Sequence, residues 1–270
     1  MTKTTLSTSQ RKKPMNSKSK FEEWKARISE GKKSFAVLID PDKIGNEQEA
    51  ITIAKHCDAN SVDWIFVGGS LLTRNNTKKV VESIKATTDI PVVLFPGDAT
   101  QVCPSADILL FLSLVSGRNP EYLIGQHIKA APIIKETELE VWPTAYILVE
   151  SGKKTSVSYI SNTEPIPSDK PEIASCTALA SEMLGMKCVY LEAGSGAEHP
   201  VPEEMIRRVR KDMTLPLIVG GGIRSAEKAQ QALIAGADMI VIGNAIEKNP
   251  GLMTEVSECI LKMNRLDVHQ

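Results

Sequence analysis

The 270-residue chain reads as an α/β protein of the (β/α)8 TIM-barrel class. Short aliphatic runs alternate with helix-length amphipathic segments along almost its whole length, as parallel strands joined by helical crossovers require. The runs count to eight. Glycines cluster after the last three, in Tyr190-Leu-Glu-Ala-Gly-Ser-Gly196, Leu217-Ile-Val-Gly-Gly-Gly-Ile223 and Met239-Ile-Val-Ile-Gly-Asn244. An open doubly wound sheet carries its phosphate-binding glycines after the first strand. A barrel places its phosphate site after strands seven and eight, so the closed, though modified, barrel is the better fit, with the site at its C-terminal rim.

The first twenty residues are of another kind: Lys3, Arg11, Lys12, Lys13, Lys18 and Lys20 stand among Ser and Thr with no acidic residue. Such a stretch cannot repay the entropy of ordering and reads as a disordered basic arm over residues 1–20. It has no apolar core, which excludes a signal peptide or a membrane span. A single barrel domain is expected over residues 21–270.

A helix from Lys20 to Glu30 stops at Gly31, and Ser34–Ile39 forms the first strand with Asp40-Pro-Asp-Lys43 at its tip. A helix over Glu47–Cys57 leads to the second strand, Trp64–Val67, tipped by Gly68-Gly69-Ser70. The helix Asn76–Ala86 leads to the third, Pro91–Phe95. A short crossover precedes the fourth, Asp107–Leu112, which ends in Ser113–Pro120. The helix Glu121–Lys135 precedes the fifth, Glu140–Val149. The polar segment Glu150–Lys170 is long for a compact domain and reads as an active-site cover or a disordered loop. The helix Glu172–Leu184 and strand Lys187–Leu191 follow, then the helices Glu203–Met213 and Ser225–Ala235 ahead of the strands at Leu217 and Met239.

Composition agrees with buried parallel strands: 42% of residues are hydrophobic and only 4% aromatic,. A net charge of -1 supplies no long-range field for nucleic acid or an anionic membrane,. The five cysteines, Cys57, Cys103, Cys176, Cys188 and Cys259, lack metal-ligand spacing and read as reduced thiols packed as small apolar residues,.

In a barrel every loop after a strand lies on one rim, which gathers Asp40, Asp42, Lys43, Ser70, Glu192 and the late glycines around one mouth. Asp40 and Ser70 can offer oxygen ligands to magnesium, leaving positions for water and phosphate; Asp40-Pro-Asp42 can equally cap a turn. Glu192 can orient or deprotonate a substrate hydroxyl, or make a structural ion pair. Leu109–Val115 and Ala145–Val149 can line an apolar groove or fill the core.

Asp40-Pro-Asp-Lys43, Gly68-Gly69-Ser70, the Tyr190–Gly196 run, Gly220-Gly-Gly-Ile-Arg224 and Gly243-Asn244 together resemble the geranylgeranylglyceryl phosphate synthases. So do Phe111–Pro120 and Trp142-Pro-Thr-Ala-Tyr146, and the likeness to the archaeal and Bacteroidetes branch covers Phe35 to Pro250. The resemblance implies a prenyltransferase that joins a polyprenyl diphosphate to sn-glycerol 1-phosphate as an ether. It implies magnesium on Asp40 and Ser70. It places the acceptor on Tyr190, Leu191, Glu192, Ala193, Gly194, Ser195 and Gly196, with Glu192 and Tyr190 catalytic and the phosphate on Gly221, Gly222, Gly243 and Asn244. It further implies a cytoplasmic homo-oligomer, dimer or hexamer, with peripheral membrane contact for its lipid product. One departure stands out: shorter bacterial relatives carry a lysine two residues before the first Asp, where this chain has Leu38. Other readings of the late phosphate loops are a phosphosugar isomerase or aldolase and a non-catalytic phosphate or prenyl binder.

Overall fold

The computed structural model describes residues 19–74 and 76–266. The basic arm lies outside the described residues, apart from Ser19 and Lys20, which begin the first helix. Eight parallel strands close into a barrel in sequence order. They are β1 (Ser34–Ile39), β2 (Trp64–Val67), β3 (Val92–Leu94), β4 (Ile108–Leu114), β5 (Glu140–Leu148), β6 (Cys188–Glu192), β7 (Leu217–Gly220) and β8 (Met239–Ile242). Pairing of β8 with β1, from Ser34↔Met239 to Val37↔Ile242, leaves no open edge,.

Helices α1 (Lys20–Ser29), α2 (Glu47–Ala59), α3 (Thr77–Lys85), α4 (Gln126–Lys135), α5 (Ser156–Ser161), α6 (Pro171–Met183), α7 (Glu203–Asp212), α8 (Ala226–Ala235), α9 (Asn244–Lys248) and α10 (Gly251–Leu266) complete the chain. Side chains alternate across each strand. One set, including Phe35, Val37, Ile65 and Val67, packs outward on the helices. The other, including Ala36, Trp64, Phe66, Ile108, Trp142, Tyr146, Tyr190 and Met239, fills the barrel interior.

Helix α1 closes the N-terminal end. Trp24 stacks on Trp142 with ring centroids 5.3 Å apart and planes 4° from parallel, while Phe21 and Trp64 meet Trp142 edge-on. Glu140, the first residue of β5, accepts from the Lys20 and Phe21 backbone N–H groups at 2.7 and 2.9 Å and from the Trp142 indole at 3.1 Å. Burial works against the Glu140 charge, but these donors and Ser19 outweigh it and hold the carboxyl below its ordinary value,. Trp142 is thus core.

Between β3 and β4 no helix forms; a single 3-10 turn, Ala99–Gln101, replaces it. Only Val93↔Ile108 and Leu94↔Leu109 pair these strands, whereas β4 pairs with β5 along its full length. The chain leaves β3 through Phe95-Pro96-Gly97, where a Cβ on Gly97 would stand 2.5 Å from the Gly69 carbonyl oxygen. The barrel wall is therefore open above Leu94.

Other departures from the sequence reading are local. The helix expected over 121–135 begins as a π-helical turn, Glu121–Gly125, and keeps Pro132 inside α4. Glu192 is the last residue of β6 rather than the one after it, and its carbonyl accepts from Val149 N at 2.9 Å. The 150–170 segment is ordered and contains α5, which the sequence reading leaves unassigned, as it does α9 and α10. Cys57, Cys103 and Cys188 are buried as expected, but Cys176 is exposed because it falls on the outer face of α6.

Trp24→Ala is expected to cost about 3–5 kcal/mol, the usual penalty for emptying a large aromatic site. Urea unfolding followed by tryptophan fluorescence measures it, and a cost below about 1 kcal/mol would mean that α1 is not integral to the barrel.

Candidate active site

Tyr190 and Glu192 are two residues apart on β6 and so point to the same, inward face. The register sets Tyr190 between Tyr146 and Ile218, and Glu192 between Leu148 and Gly220. Glu192 is 5% exposed and accepts one hydrogen bond, from Gly194 N to Oε1 at 2.6 Å. Burial pushes its carboxyl from 4.5 up to about 7, against the opposing pull of the Gly194 amide and the neighbouring Tyr190. The Tyr190 hydroxyl is buried without a hydrogen bond of acceptable geometry among the described residues. Burial first, and then the Glu192 charge, raise the phenols of Tyr190 and Tyr146 well above their ordinary value. Glu192 makes no ion pair among the described residues, so the structural-pair reading fails.

The glycines of β7 are explained first by this pair. A Cβ on Gly220 would stand 2.3 Å from Tyr190 Oη and 3.0 Å from Glu192 Oε2. At Gly221, with φ of +82°, it would stand 2.4 Å from Glu192 Oε1. Side chains here would expel the carboxyl from its place.

One large cavity opens on the C-terminal rim above Glu192. Asp40, Ser70, Tyr190, Glu192, Gly194, Ser195, Gly196, Gly221, Gly222, Gly243 and Asn244 all line it. Leu191 and Ala193 do not. Both side chains pack in the outer core, and Ala193 reaches the site only through its backbone, donating to the Gly220 carbonyl at 3.0 Å. Asn244 donates to Ser195 Oγ at 2.9 Å and accepts from Lys43 Nζ at 2.6 Å, and Lys43 also pairs with Glu247 at 2.8 Å. Leu38 lies against Gly243, whose added Cβ would be 3.4 Å from the Leu38 Cβ.

Asp40 is half-buried, and burial raises its carboxyl above the ordinary value. It accepts from Asp42 N at 3.1 Å, so the turn-cap reading holds, yet its carboxylate has no ion-pair partner among the described residues. The Gly69-Ser70 backbone runs beside it: a Cβ on Gly69 would be 3.6 Å from Asp40 Oδ1. Asp42 turns the other way and fastens the next loop, accepting from Thr73 N, Thr73 Oγ1 and Arg74 N at 2.6, 2.8 and 3.0 Å. Among the described residues no three His, Cys, Asp or Glu side chains gather at one point. A hard cation here would take few protein oxygens and complete its shell with water and substrate, as magnesium does.

A second, mainly apolar cavity fills the opening between β3 and β4. Leu109–Leu112, Leu114, Phe95, Tyr122, Ala130, Val157 and Ile160 line it, and Ala145 and Ile147–Val149 do not. The groove reading therefore holds for β4, while β5 contributes only Tyr146 and is otherwise core. His127 lies in the wall, 4.4 Å from the Phe111 ring and 3.2 Å from Ser113 Oγ; burial lowers its pKa and favours the neutral ring. The two cavities share Gly69, Ser70, Phe95, Tyr146, Val157 and Ile160.

Lys153, Lys154, Thr155, Tyr159 and Arg224 also line the polar mouth, and the sequence reading gives none of them a role. The signal was present in part. A loop after β5 must reach this rim, and Lys153 and Lys154 fall four and five residues past Val149,.

A model of the PcrB family matches residues 26–262. The geranylgeranylglyceryl phosphate synthase of Chitinophaga pinensis is 56% identical over 234 residues, covering 87% of this chain and 92% of that protein. That of Korarchaeum cryptofilum is 44% identical over 224 residues, covering 83% and 91%. Among solved structures, (S)-3-O-geranylgeranylglyceryl phosphate synthase from Thermoplasma acidophilum, in complex with its substrate sn-glycerol-1-phosphate, superposes with a TM-score of 0.85 at 34% identity. The match covers 90% of this chain and 98% of that one.

A carboxyl raised in the fold binds its proton more tightly folded than unfolded, so its contribution is fully present below the unfolded value and is lost as pH rises through about 7,. The loss amounts to at most about 3 kcal/mol. The ligand-free protein is expected to be less stable at pH 8 than at pH 5.5, and Glu192→Gln to be more stable than the parent at pH 8 with a flatter profile. Chemical denaturation across that range checks both; parallel profiles for the two proteins would show that Glu192 is not the titrating group.

Proposed function

The chain belongs to the PcrB family, and on that footing we propose that it works as its relatives are named, as a geranylgeranylglyceryl phosphate synthase. It transfers a geranylgeranyl group from the diphosphate to a terminal hydroxyl of sn-glycerol 1-phosphate, releasing diphosphate. The observation that carries this reading is the contact of two chemically unlike chambers at one wall, a polar glycine-rich mouth and an apolar slot that meet at Ser70, Phe95 and Tyr146. A phosphosugar isomerase or aldolase has no use for the slot, and no inward strand position among the described residues offers a Schiff-base lysine.

The acceptor lies in the mouth with its phosphate on the loops at Gly221-Gly222 and Gly243-Asn244, and its reacting hydroxyl at Glu192. The isoprenoid tail lies along Leu109–Leu114, and its first carbon reaches the shared wall. The carbon–oxygen bond to diphosphate breaks, the acceptor oxygen bonds that carbon, and the hydroxyl proton passes to Glu192. A carboxyl held near neutrality is well matched to accept it,. Phe95 stacks on Tyr190 at 5.2 Å and meets Tyr146 edge-on at 5.6 Å, so aromatic rings face the carbon as positive charge grows on it,.

Asp40 and Ser70 are proposed to hold Mg2+, and the desolvated, unpaired Asp40 carboxylate supports a hard cation there. When bound, the ion neutralises charge on the departing diphosphate. Tyr190 is proposed to act beside Glu192, with burial keeping its phenol in the protonated, hydrogen-donating form. The proposal extends to a cytoplasmic enzyme, for which the free state of all five cysteines is consistent. It includes assembly as a homodimer or hexamer, for which the exposed Ile124 and Ile128 offer an apolar face. No helix among the described residues is long and apolar enough to cross a membrane. Leu71 and Tyr159, exposed at the mouth, support peripheral contact for the product.

Purified protein given sn-glycerol 1-phosphate, Mg2+ and labelled geranylgeranyl diphosphate is expected to release diphosphate and an extractable ether lipid. Absence of turnover with every prenyl chain length would overturn the reading. Asp40→Asn is expected to lower turnover roughly 100-fold or more, while calorimetric binding of glycerol 1-phosphate stays unchanged; unaltered metal dependence would remove Asp40 from the metal site.

A further inference from the structure

A phosphate dianion held by backbone amides alone keeps much of its charge uncompensated, and a nearby cation strengthens such a cradle. The strand tips beneath the glycine loops supply none, because Leu38, Val241 and Ile242 are apolar. The cations at the mouth are Lys43, Lys153, Lys154, Arg224 and Lys248. Most have other work. Lys43 is tied to Asn244 and Glu247. Arg224 donates to the Ala197 carbonyl, and Lys154 lies over the Tyr159 ring at 5.5 Å. Lys248 stands at the far end of α9, a turn beyond Asn244.

Lys153 is set apart by its place beside the β6 loop. Its ammonium makes no hydrogen bond or ion pair among the described residues, and it lies 3.8 Å from where a Cβ on Gly196 would stand. The loop that carries it is fastened to the glycine loop from both sides. Before Lys153, the Ser151 carbonyl accepts from Glu198 N and His199 N at 3.1 and 3.2 Å. After it, Thr155 covers Gly194 so closely that a Cβ there would be 2.4 Å from Thr155 Cγ2. Glu198 Oε2 lies beside Gly152 without pairing to Lys153. An unpaired ammonium is thus held beside a glycine loop that lines the cavity.

We propose that Lys153 binds the phosphate of the acceptor and makes the mouth select a phosphorylated polyol over a neutral one. The assignment rests on the reading of the mouth as the acceptor site. The β5 loop thereby becomes half of the phosphate clamp, with the β7 and β8 loops as the other half. Lys154 provides an internal control, since its loss changes net charge equally one residue away.

The test compares the parent protein with Lys153→Ala, Lys153→Gln, Lys153→Arg and Lys154→Ala. Binding of sn-glycerol 1-phosphate and of inorganic phosphate is measured by calorimetry, and KM and kcat by diphosphate release. Loss of a charge-assisted hydrogen bond is expected to weaken binding of both ligands about 10- to 100-fold in Lys153→Ala and Lys153→Gln. KM should rise in step and kcat change less than about threefold. Lys153→Arg should recover most of the affinity, and Lys154→Ala should stay within about twofold of the parent. Parental affinity in Lys153→Ala, or equal losses in Lys153→Ala and Lys154→Ala, would overturn the assignment. If the parent binds inorganic phosphate but turns over no glycerol phosphate, the reaction fails and the phosphate series still decides Lys153. If the parent binds neither ligand, both fall.

Discussion

Taking the Glu192 carboxyl out of water at the end of β6 carries a cost that the rest of the mouth is arranged around. A buried carboxylate without a cation is tolerable only where it can take up a proton or receive hydrogen bonds, and here it has the Gly194 amide and little else. Room for it depends on the bare Cα atoms of Gly220 and Gly221. The chain turns at positive φ through Gly221 and Gly222, which line the cavity. One constraint therefore produces both the basic carboxylate and the glycine loop beside it. Function opposes stability here, as it often does at active sites.

The short aliphatic runs made the strands legible, and Tyr190 and Glu192 come together because residues two apart on a strand must share a face. Asp40, Ser70 and the late glycines were legible for a related reason, since strand tips of a parallel barrel have only one rim to occupy. Three kinds of feature were not. Helix α5 is six residues within a polar segment, too short for a periodic signal. Lys153 acquires its meaning from Ser151 and Thr155 packing on residues roughly forty or more positions away,. The role of Gly220 could not be separated from that of a phosphate cradle, because what a missing Cβ makes room for is a tertiary fact.

The slot between β3 and β4 follows from a deficit rather than an addition. With two paired positions between these strands and no crossover helix, the inward Leu110 and Leu112 and the outward Leu109 and Phe111 all become available to one cavity. A full helix after β3 would cover the outward pair and return β4 to ordinary core. On the proposed function, burial of apolar surface that the fold leaves to a ligand would be regained when an isoprenoid fills the slot, at about 25 cal/mol per Å² before ordering costs.

Holding two substrates in line demands that the loops around the mouth keep their spacing, and the hydrogen bonds show how. Asp42 binds the β1 loop to Thr73 and Arg74 of the β2 loop, and Lys43 binds it to Asn244 and Glu247 beyond β8. Asn244 reaches Ser195 in the β6 loop, which is held in turn by Ser151 of the β5 loop through Glu198 and His199. Loops from β2 around to β5 are thus fastened to one another by way of β1, β8 and β6, on the side of the barrel that holds the charged groups. The remaining arc, at β3 and β4, is the apolar slot. Polar loops tied to each other resist displacement when diphosphate and phosphate charge enters. An apolar arc need only exclude water. That division places rigidity where reacting atoms must be aligned within a fraction of an ångström and leaves the tolerant side to the hydrocarbon.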